Sequence, residues 1–231
     1  MNDYIQYVLL FDPLFETKIQ GAKEDDILKL AELTKHDLPI VYKDYLLKMG
    51  INNGGINFAQ DHLSSIDDII DFYQEDMLFD DIKIPENYIV VGCGSESYGE
   101  FLLDIEKDPI DPPVYINETA GINLYSDSFE KLLYRTAFVS IQPEIQNSIR
   151  LFTAKSKDAL LKKAEKIASD IGFEKHWFSD SISYCGETDN SALHMLQLDN
   201  SKLIILLMTV YQEQLNEIGS KFTNEIEFSW Y

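Results

Sequence analysis

Apolar positions in the first third of the chain recur at the three- and four-residue spacing of helices. Ile27, Leu30 and Thr34 predict a helix over residues 22–35, with acidic residues in its first turn. A clearer helix follows in "DLPIVYKDYLLKMG". Its predicted buried face consists of Leu38, Val41, Tyr42, Tyr45, Leu46 and Met49.

A third helix is predicted in "SSIDDIIDFYQEDM". Ser65-x-x-Asp68 matches the capping box, in which a serine and an acid three residues later satisfy each other's backbone N–H groups. The predicted inner face holds Ile66, Ile69, Ile70, Tyr73 and Met77. The predicted outer face holds Asp67, Asp68, Asp71 and Glu75.

Other segments have the composition of strands. The run from Tyr4 to Leu10, closed by Asp12-Pro13, predicts a strand at the start of the chain. From Tyr88 onwards, "YIVVG", "EFLLDI" and "VYIN" predict an antiparallel meander. Asp127-x-x-Glu130 then predicts the start of another helix.

The stretch "MGINNGGINF", residues 49–58, is unusually rich in glycine and asparagine and suggests either a ligand loop or a turn. We expect Gly50 to end the preceding helix in the left-handed conformation, and Asn53-Gly54 to form a tight turn. Ile56 and Phe58 then predict a return to β alternation. The stretch is therefore interpreted as backbone geometry that directs the chain into the sheet.

Beyond Pro143 the pattern starts afresh. Strands are predicted in "SIRLFTA", "SISYCGE", "ALHMLQL" and "KLIILLMTV". Asp199-Asn200 predicts a tight turn. Helices are predicted at 157–170, ended by Gly172, and at 212–219. We therefore predict two domains, residues 1–143 and residues 146–231. The fold class is α+β: an antiparallel sheet with flanking helices, followed by a second small α+β domain.

Four motifs occur in order between residues 22 and 138: "LPIVYKDYLLKMGINNGG", "LSSIDDII", "VGCGSESYGEFLLDI", and "VYINE" followed by "SDSFEKLL". Together, and in this order, they resemble the SUKH superfamily. One departure is Glu100, which stands where many members have aspartate. The superfamily includes a fungal regulator of cell-wall synthesis and many bacterial immunity proteins that neutralise toxins of polymorphic and contact-dependent systems. The resemblance implies a SUKH-like fold and a protein-binding function, and it does not reach residues 146–231.

Charge narrows the range of partners. The chain has 40 acidic and 19 basic residues, a net charge of −21. Residues 1–145 contribute −18 of this, and residues 61–111 alone contain 15 acids and 2 bases. Such a chain repels phosphate backbones and anionic lipid, so we expect no direct nucleic-acid binding and no membrane binding. The N-terminus lacks the features of a secretory signal, and the expectation is a cytoplasmic protein.

Three catalytic or ligand-binding interpretations each have a simpler structural alternative. Gly92 to Gly99 resembles a dinucleotide fingerprint, but "EFLLDI" after it predicts a strand instead of the required helix, which favours a hairpin turn. Cys93 as a nucleophile would need a histidine base and a lowered pKa, and acidic neighbours raise a thiol pKa, so Cys93 and Cys185 are expected to be buried and reduced. The clustered acids lack EF-hand spacing, which favours a solvated face over a metal site. We expect no cofactor and no metal.

The remaining interpretation of the acids is a protein-binding surface. Many toxin domains are nucleases with cationic clefts, and an acidic inhibitor can occupy such a cleft in place of phosphate. The alternative is that the acids only keep the protein soluble. The predicted contact residues are Asp67, Asp68, Asp71, Glu75, Asp76, Asp80, Asp81 and Glu96.

The leading hypothesis is a non-enzymatic immunity protein that binds and blocks a cognate toxin protein. A second hypothesis is a regulatory or scaffold module with several protein partners and no toxin. A third is a hydrolase, which would require a deep pocket with convergent carboxylates of perturbed pKa. The sequence leaves the toxin's chemistry, the oligomeric state and the role of residues 146–231 open.

Overall fold

The computed structural model describes residues 1–58, 63–76, 84–94, 99–118, 121–155, 160–198 and 202–227. They form two compact units, Met1–Thr136 and Ala137–Tyr231, and the division falls inside a helix, Phe129–Ile145. Pro143 lies within this helix, close to its C-terminal end, where a missing N–H removes a hydrogen bond from the last turn only. The fold is α+β with antiparallel sheets, which confirms the predicted class.

The helices of the first unit largely follow the predicted periodicity. They are α1 (Asn2–Leu9), α2 (Phe15–Lys18), α3 (Glu24–Thr34), α4 (Ile40–Met49), α5 (Ile66–Asp71), which continues into a π turn (Phe72–Asp76), and α6 (Phe129–Ile145). The predicted helices at 22–35 and 38–49 are confirmed as α3 and α4. In α4 the side chains of Tyr42, Tyr45, Leu46 and Met49 are buried, and the rings of Tyr42 and Tyr45 both meet Phe129 of α6 edge-on.

The sheet of the first unit is a meander of four antiparallel strands in the order β3-β4-β5-β6. These strands are β3 (Tyr88–Gly92), β4 (Glu100–Asp104), β5 (Val114–Glu118) and β6 (Gly121–Ser126). A separate short pair joins β1 (Ile19–Gln20) to β2 (Asn52–Asn53). The predicted strands at "YIVVG", "EFLLDI" and "VYIN" are confirmed, whereas β6 was not predicted, because its residues are half-exposed and give no strong alternation.

Several local predictions are wrong. The strand predicted from Tyr4 to Leu10 is absent: residues 4–9 belong to α1, because Tyr4, Ile5 and Val8 share one helical face and are buried. The Tyr4 ring packs edge-on against Tyr134. The predicted β alternation at Ile56 and Phe58 is also absent, and the chain there is irregular.

Gly50 is a further correction. Its φ of −66° is right-handed, so its conformation does not require glycine. The limited space around Gly50 does require glycine, because a Cβ at this position would lie 2.6 Å from the Leu46 carbonyl oxygen and 2.9 Å from Ala22 Cβ. The left-handed residues of this stretch are Gly54 and Gly55, with φ of 71° and 87°. The tight turn predicted at Asn53-Gly54 is therefore one residue too early.

The second unit is a five-stranded antiparallel sheet in the order β7-β11-β10-β9-β8. Its elements are β7 (Ser148–Lys155), α7 (Leu161–Ile171), β8 (Glu174–Lys175), β9 (Ser183–Thr188), β10 (Ser191–Leu198), β11 (Lys202–Thr209) and α8 (Gln212–Glu225). Gly172 ends α7 at a φ of 103°, as predicted. Helix α8 is longer than the predicted 212–219, and the predicted turn at Asp199-Asn200 lies outside the described residues.

Candidate partner-binding site

The N-terminus of α5 is fixed by the predicted capping box. The Ser65 hydroxyl oxygen accepts the Asp68 N–H at 3.2 Å, and Asp68 Oδ2 accepts the Ser65 N–H at 3.2 Å and the Ser65 hydroxyl at 2.5 Å. Because both partners of the box are present, two N–H groups that a helix start normally leaves unsatisfied are paired. The direction of α5 is therefore set from its first residue.

Strand β3 and Cys93, the residue that follows it, anchor this helical segment at its two ends. Before α5, Leu63 pairs with Cys93, with N–H to O distances of 3.0 and 2.8 Å in the two directions. In the π turn, the Tyr73 hydroxyl accepts the Val90 N–H at 2.9 Å. Burial raises the pKa of Tyr73 to about 12, so its hydroxyl stays protonated. The segment between these two contacts lies along the edge of the sheet, with Ile66, Ile69 and Ile70 buried beneath it.

The Tyr73 contact gives a testable prediction. Tyr73→Phe leaves the N–H of the fully buried Val90 without its acceptor, which costs about 1 to 2 kcal/mol of unfolding free energy. Urea unfolding followed by fluorescence measures this loss. Tyr211→Phe is the control, because Tyr211 is 58% exposed and its hydroxyl forms no hydrogen bond with the described residues. Equal stability of Tyr73→Phe and the native protein would show that the contact does not hold the π turn.

Three of the predicted contact residues point outwards from this fixed segment. Asp67 and Asp71 on α5, and Glu75 on the π turn, are exposed and follow one another at intervals of four residues. Side chains at this spacing lie along one side of a helix. Among the described residues none of the three carboxylates forms an ion pair or hydrogen bond. We call Asp67, Asp71 and Glu75 the acidic face.

The other predicted contact residues fall into three groups. Asp68 is only partly exposed, and its carboxylate is engaged in the capping box instead of standing free on the surface. Asp76 belongs to the π turn, and its side chain lies outside the described residues. Asp80, Asp81 and Glu96 lie outside the described residues altogether, so their place in the contact surface stays a prediction.

Helix α3 contributes acids that the sequence did not single out. It packs against α5 and the π turn, and Lys29 Nζ donates to Gln74 Oε1 at 3.2 Å. Asp25 and Glu32, both exposed, lie four residues before and three residues after Lys29, on the same side of α3. They therefore extend negative charge beside the acidic face. No local sequence signal could show this, because the pairing of α3 with the π turn joins residues 45 positions apart.

The acidic face carries a small cost in stability, which can be measured. Asp71 has a like charge four residues away on each side, and each such pair costs about 0.2 to 0.5 kcal/mol. Asp71→Asn should therefore raise the free energy of unfolding by about 0.5 kcal/mol. Asp67→Asn removes one repulsion but also a favourable charge in the first helical turn, and no net gain is expected. Urea midpoints that rank these two variants in the opposite order would contradict the side-by-side placement.

The chemistry available at this site is recognition of positive charge. Uncompensated carboxylates on a rigid surface attract cationic partners and repel anionic ones. Among the described residues no group of three or more His, Cys, Asp or Glu side chains is placed to hold a metal ion. Cys93 and Cys185 are buried and form no disulfide with the described residues, and β3 and β4 on either side of the glycine-rich segment pair as antiparallel strands. The strand-to-helix geometry of a dinucleotide site is therefore absent where the chain is described.

Comparison with known proteins gives one finding. The model of the SMI1/KNR4 family (SUKH-1) matches residues 21–135, which include α3, α4, α5, the π turn and the whole meander. No curated protein and no solved structure matches the chain. None of the described helices has the length and apolar character required to span a bilayer.

Proposed function

Because residues 21–135 of this chain belong to the SMI1/KNR4 family (SUKH-1), we propose that the protein is an immunity protein that binds and neutralises a cognate bacterial toxin domain. The observation that carries the proposal is the acidic face, three exposed and unpaired carboxylates on a segment anchored to the sheet edge. The proposal involves binding alone, with no catalytic step.

The electrostatics suit this role. Residues 1–145 carry a net charge of −18, against −3 for residues 146–231. Most of the negative charge therefore belongs to the part of the chain that holds the acidic face. A toxin that acts on nucleic acid has a cationic cleft, and opposite charges raise association rates by about 10- to 1000-fold. Speed matters for an inhibitor that must reach the toxin before damage occurs.

The anchoring of the acidic face also supports binding. The contacts Leu63–Cys93 and Tyr73–Val90, together with the cap, fix the backbone from which the carboxylates project, so little backbone entropy is lost on association. Acids whose only role was solubility would need no such fixed geometry. This contrast favours a binding surface over a merely solvated one.

The test is rescue of growth. The protein encoded next to this gene is expressed under an inducible promoter in cells with and without the present chain. We expect the chain to restore growth and to co-purify with that protein. Continued killing, together with no complex in the pull-down, would overturn the proposal. Recovery of several unrelated host proteins and no toxin would favour the regulatory or scaffold module instead.

A further inference from the structure

The five-stranded sheet of the second unit has a long strand at one edge. β7 (Ser148–Lys155) pairs with β11 along its whole length, and no other described strand pairs with it. Outside this ladder, residues 149–151 form no backbone hydrogen bond with the described residues. An edge strand presents N–H and C=O groups at every second residue on its open side. The edge of β7 can therefore accept one more strand.

The two faces of β7 and β11 differ. The inward-facing residues of the two strands share a buried core with α7 and α8: Phe152, Ala154, Leu203, Ile205 and Leu207. The alternate residues lie on the outer face, where Leu151 is 62% and Ile149 48% exposed. Leu206, directly opposite Leu151, and Ile204 are partly exposed. We call Ile149, Leu151, Ile204 and Leu206 the outer strip, and neighbouring exposed apolar side chains of this kind indicate a contact surface.

Two lysines lie at one end of the outer strip. Lys155 of β7 and Lys202 of β11 are directly opposite each other on the outer face. Neither side chain forms an ion pair or hydrogen bond with the described residues, and neither strand contains an acidic residue. Like charges directly opposite one another destabilise a sheet. This positive pair, in a chain of net charge −21, is complementary to a carboxylate from outside the sheet.

Protection against aggregation is the simpler interpretation, because edge strands often carry a lysine that prevents further pairing. Lys202 does not fit this role, since β11 is already paired on both sides. Arg150, the other base of β7, points to the inner face and donates to Asn216 of α8 at 2.9 Å. No charge therefore interrupts the exposed residues Ile149 and Leu151, which is where a protective charge would act.

We propose that the edge of β7 binds an extended segment of a partner protein as an added strand, with aliphatic side chains on the outer strip and a carboxylate at Lys155 and Lys202. Such a segment supplies backbone partners for the edge, and its alternate side chains reach one face. A second copy of β7 would bring no acid to the lysine pair, because β7 contains none. The surface lies outside residues 21–135, so the inference goes beyond the proposed function and does not depend on it.

The direct test is an NMR titration of the whole protein with the peptide acetyl-ETVTVTE-amide, whose glutamates and valines lie on one side when it is extended. We expect binding of about millimolar affinity, as for other small ligands, with shifts centred on the amides of β7. The analogue acetyl-KTVTVTK-amide should bind at least about fivefold more weakly, although the net charge of −21 attracts it. No shifts in β7 with the glutamate peptide, or equal or tighter binding of the lysine peptide, would overturn the proposal.

Backbone pairing is tested by N-methylation of the peptide. The glutamate peptide with N-methyl groups on its three central residues keeps every side chain but has no N–H to donate at those residues. We expect no measurable binding of this peptide. Affinity equal to that of the unmethylated peptide would show that side chains alone make the contact, and strand addition would be overturned.

Two variants separate the charge from the apolar strip. Lys155→Gln combined with Lys202→Gln should weaken binding of the glutamate peptide at least about threefold, because its carboxylate then meets amides instead of ammonium groups. The matched control is Lys162→Gln with Lys166→Gln, two exposed lysines of α7 that form no ion pair among the described residues. Leu151→Thr keeps a strand-forming residue and should weaken binding by a similar factor at an unchanged melting temperature. Native affinity in both the Lys155/Lys202 variant and Leu151→Thr would overturn the proposal.

Two other occupants of the outer strip give different results. Sedimentation velocity of the native protein should show no self-association that Leu151→Thr abolishes, and a dimer of that kind would assign the strip to a second copy. Flotation with phosphatidylglycerol vesicles should leave the protein unbound, because its net charge repels anionic lipid. Vesicle binding that is lost on combining Lys155→Gln with Lys202→Gln would assign the strip to lipid. Either result would overturn the proposal, and neither would affect the immunity role, which rests on the acidic face.

Discussion

Association with a cationic toxin domain is expected to slow by at least about tenfold at low salt when Asp67→Asn, Asp71→Asn and Glu75→Gln are combined. The three side chains are exposed and unpaired among the described residues, so their charge acts at long range without being neutralised locally. Amides of nearly the same shape remove the charge and keep the surface. Stopped-flow measurement of the association rate at two or more salt concentrations gives the effect and its screening.

The matched control places the same change of charge on the other unit. Asp170→Asn, Glu174→Gln and Asp189→Asn replace three exposed acids of residues 137–231 that form no ion pair among the described residues. This variant has the same net charge as the acidic-face variant, and we expect it to associate at nearly the native rate. Equal slowing of both variants would show that net charge alone sets the rate, and the acidic face would lose its assignment.

The second large effect concerns the glycine turn after α4. Gly54→Ala is expected to lower the free energy of unfolding by about 2 to 4 kcal/mol, as the sum of left-handed strain and overpacking. The φ of Gly54 is 71°, and a Cβ there would lie 2.4 Å from the ring of Phe15, which is fully buried. Thermal or urea unfolding measures the loss.

Gly55→Ala is the matched control for this prediction. Gly55 has a similar φ of 87°, but a Cβ there would meet nothing within 4 Å. Its substitution should therefore cost only the strain, about 1 to 2 kcal/mol. The difference between the two variants isolates the contact with Phe15. Equal losses would show that the turn is limited by backbone strain alone and that the Phe15 ring yields.

The elements predicted best from the sequence are those with a local cause. Helix α4 was found because its buried residues recur every three or four positions, and α5 because Ser65 and Asp68 carry their own capping signal. The first helix was mistaken for a strand because a short apolar run such as "YIQYVLL" satisfies both periods. Only its packing against Tyr134, far along the chain, decides between them.

The candidate site also has features with a local cause in the sequence and features that depend on contacts between distant segments. The exposure of Asp67, Asp71 and Glu75 follows from helical spacing, so the sequence could predict it. The capping-box motif Ser65-x-x-Asp68 also implied that the Asp68 carboxylate is engaged in the cap, although Asp68 was included among the predicted contact residues. Anchoring of the π turn by Tyr73, and the hydrogen bond from Lys29 of α3 to Gln74, depend on contacts between distant segments. These contacts exist only in the folded chain, and no local pattern encodes them.

The most direct test of the immunity role is an inhibition titration with the purified protein encoded next to this gene, as the proposed toxin. Increasing amounts of the native protein are added to a fixed amount of toxin, and toxin activity and complex mass are measured on the same samples. The account predicts that activity falls to zero as a stable complex accumulates. Full toxin activity in the presence of excess protein, with no complex detected, would contradict it.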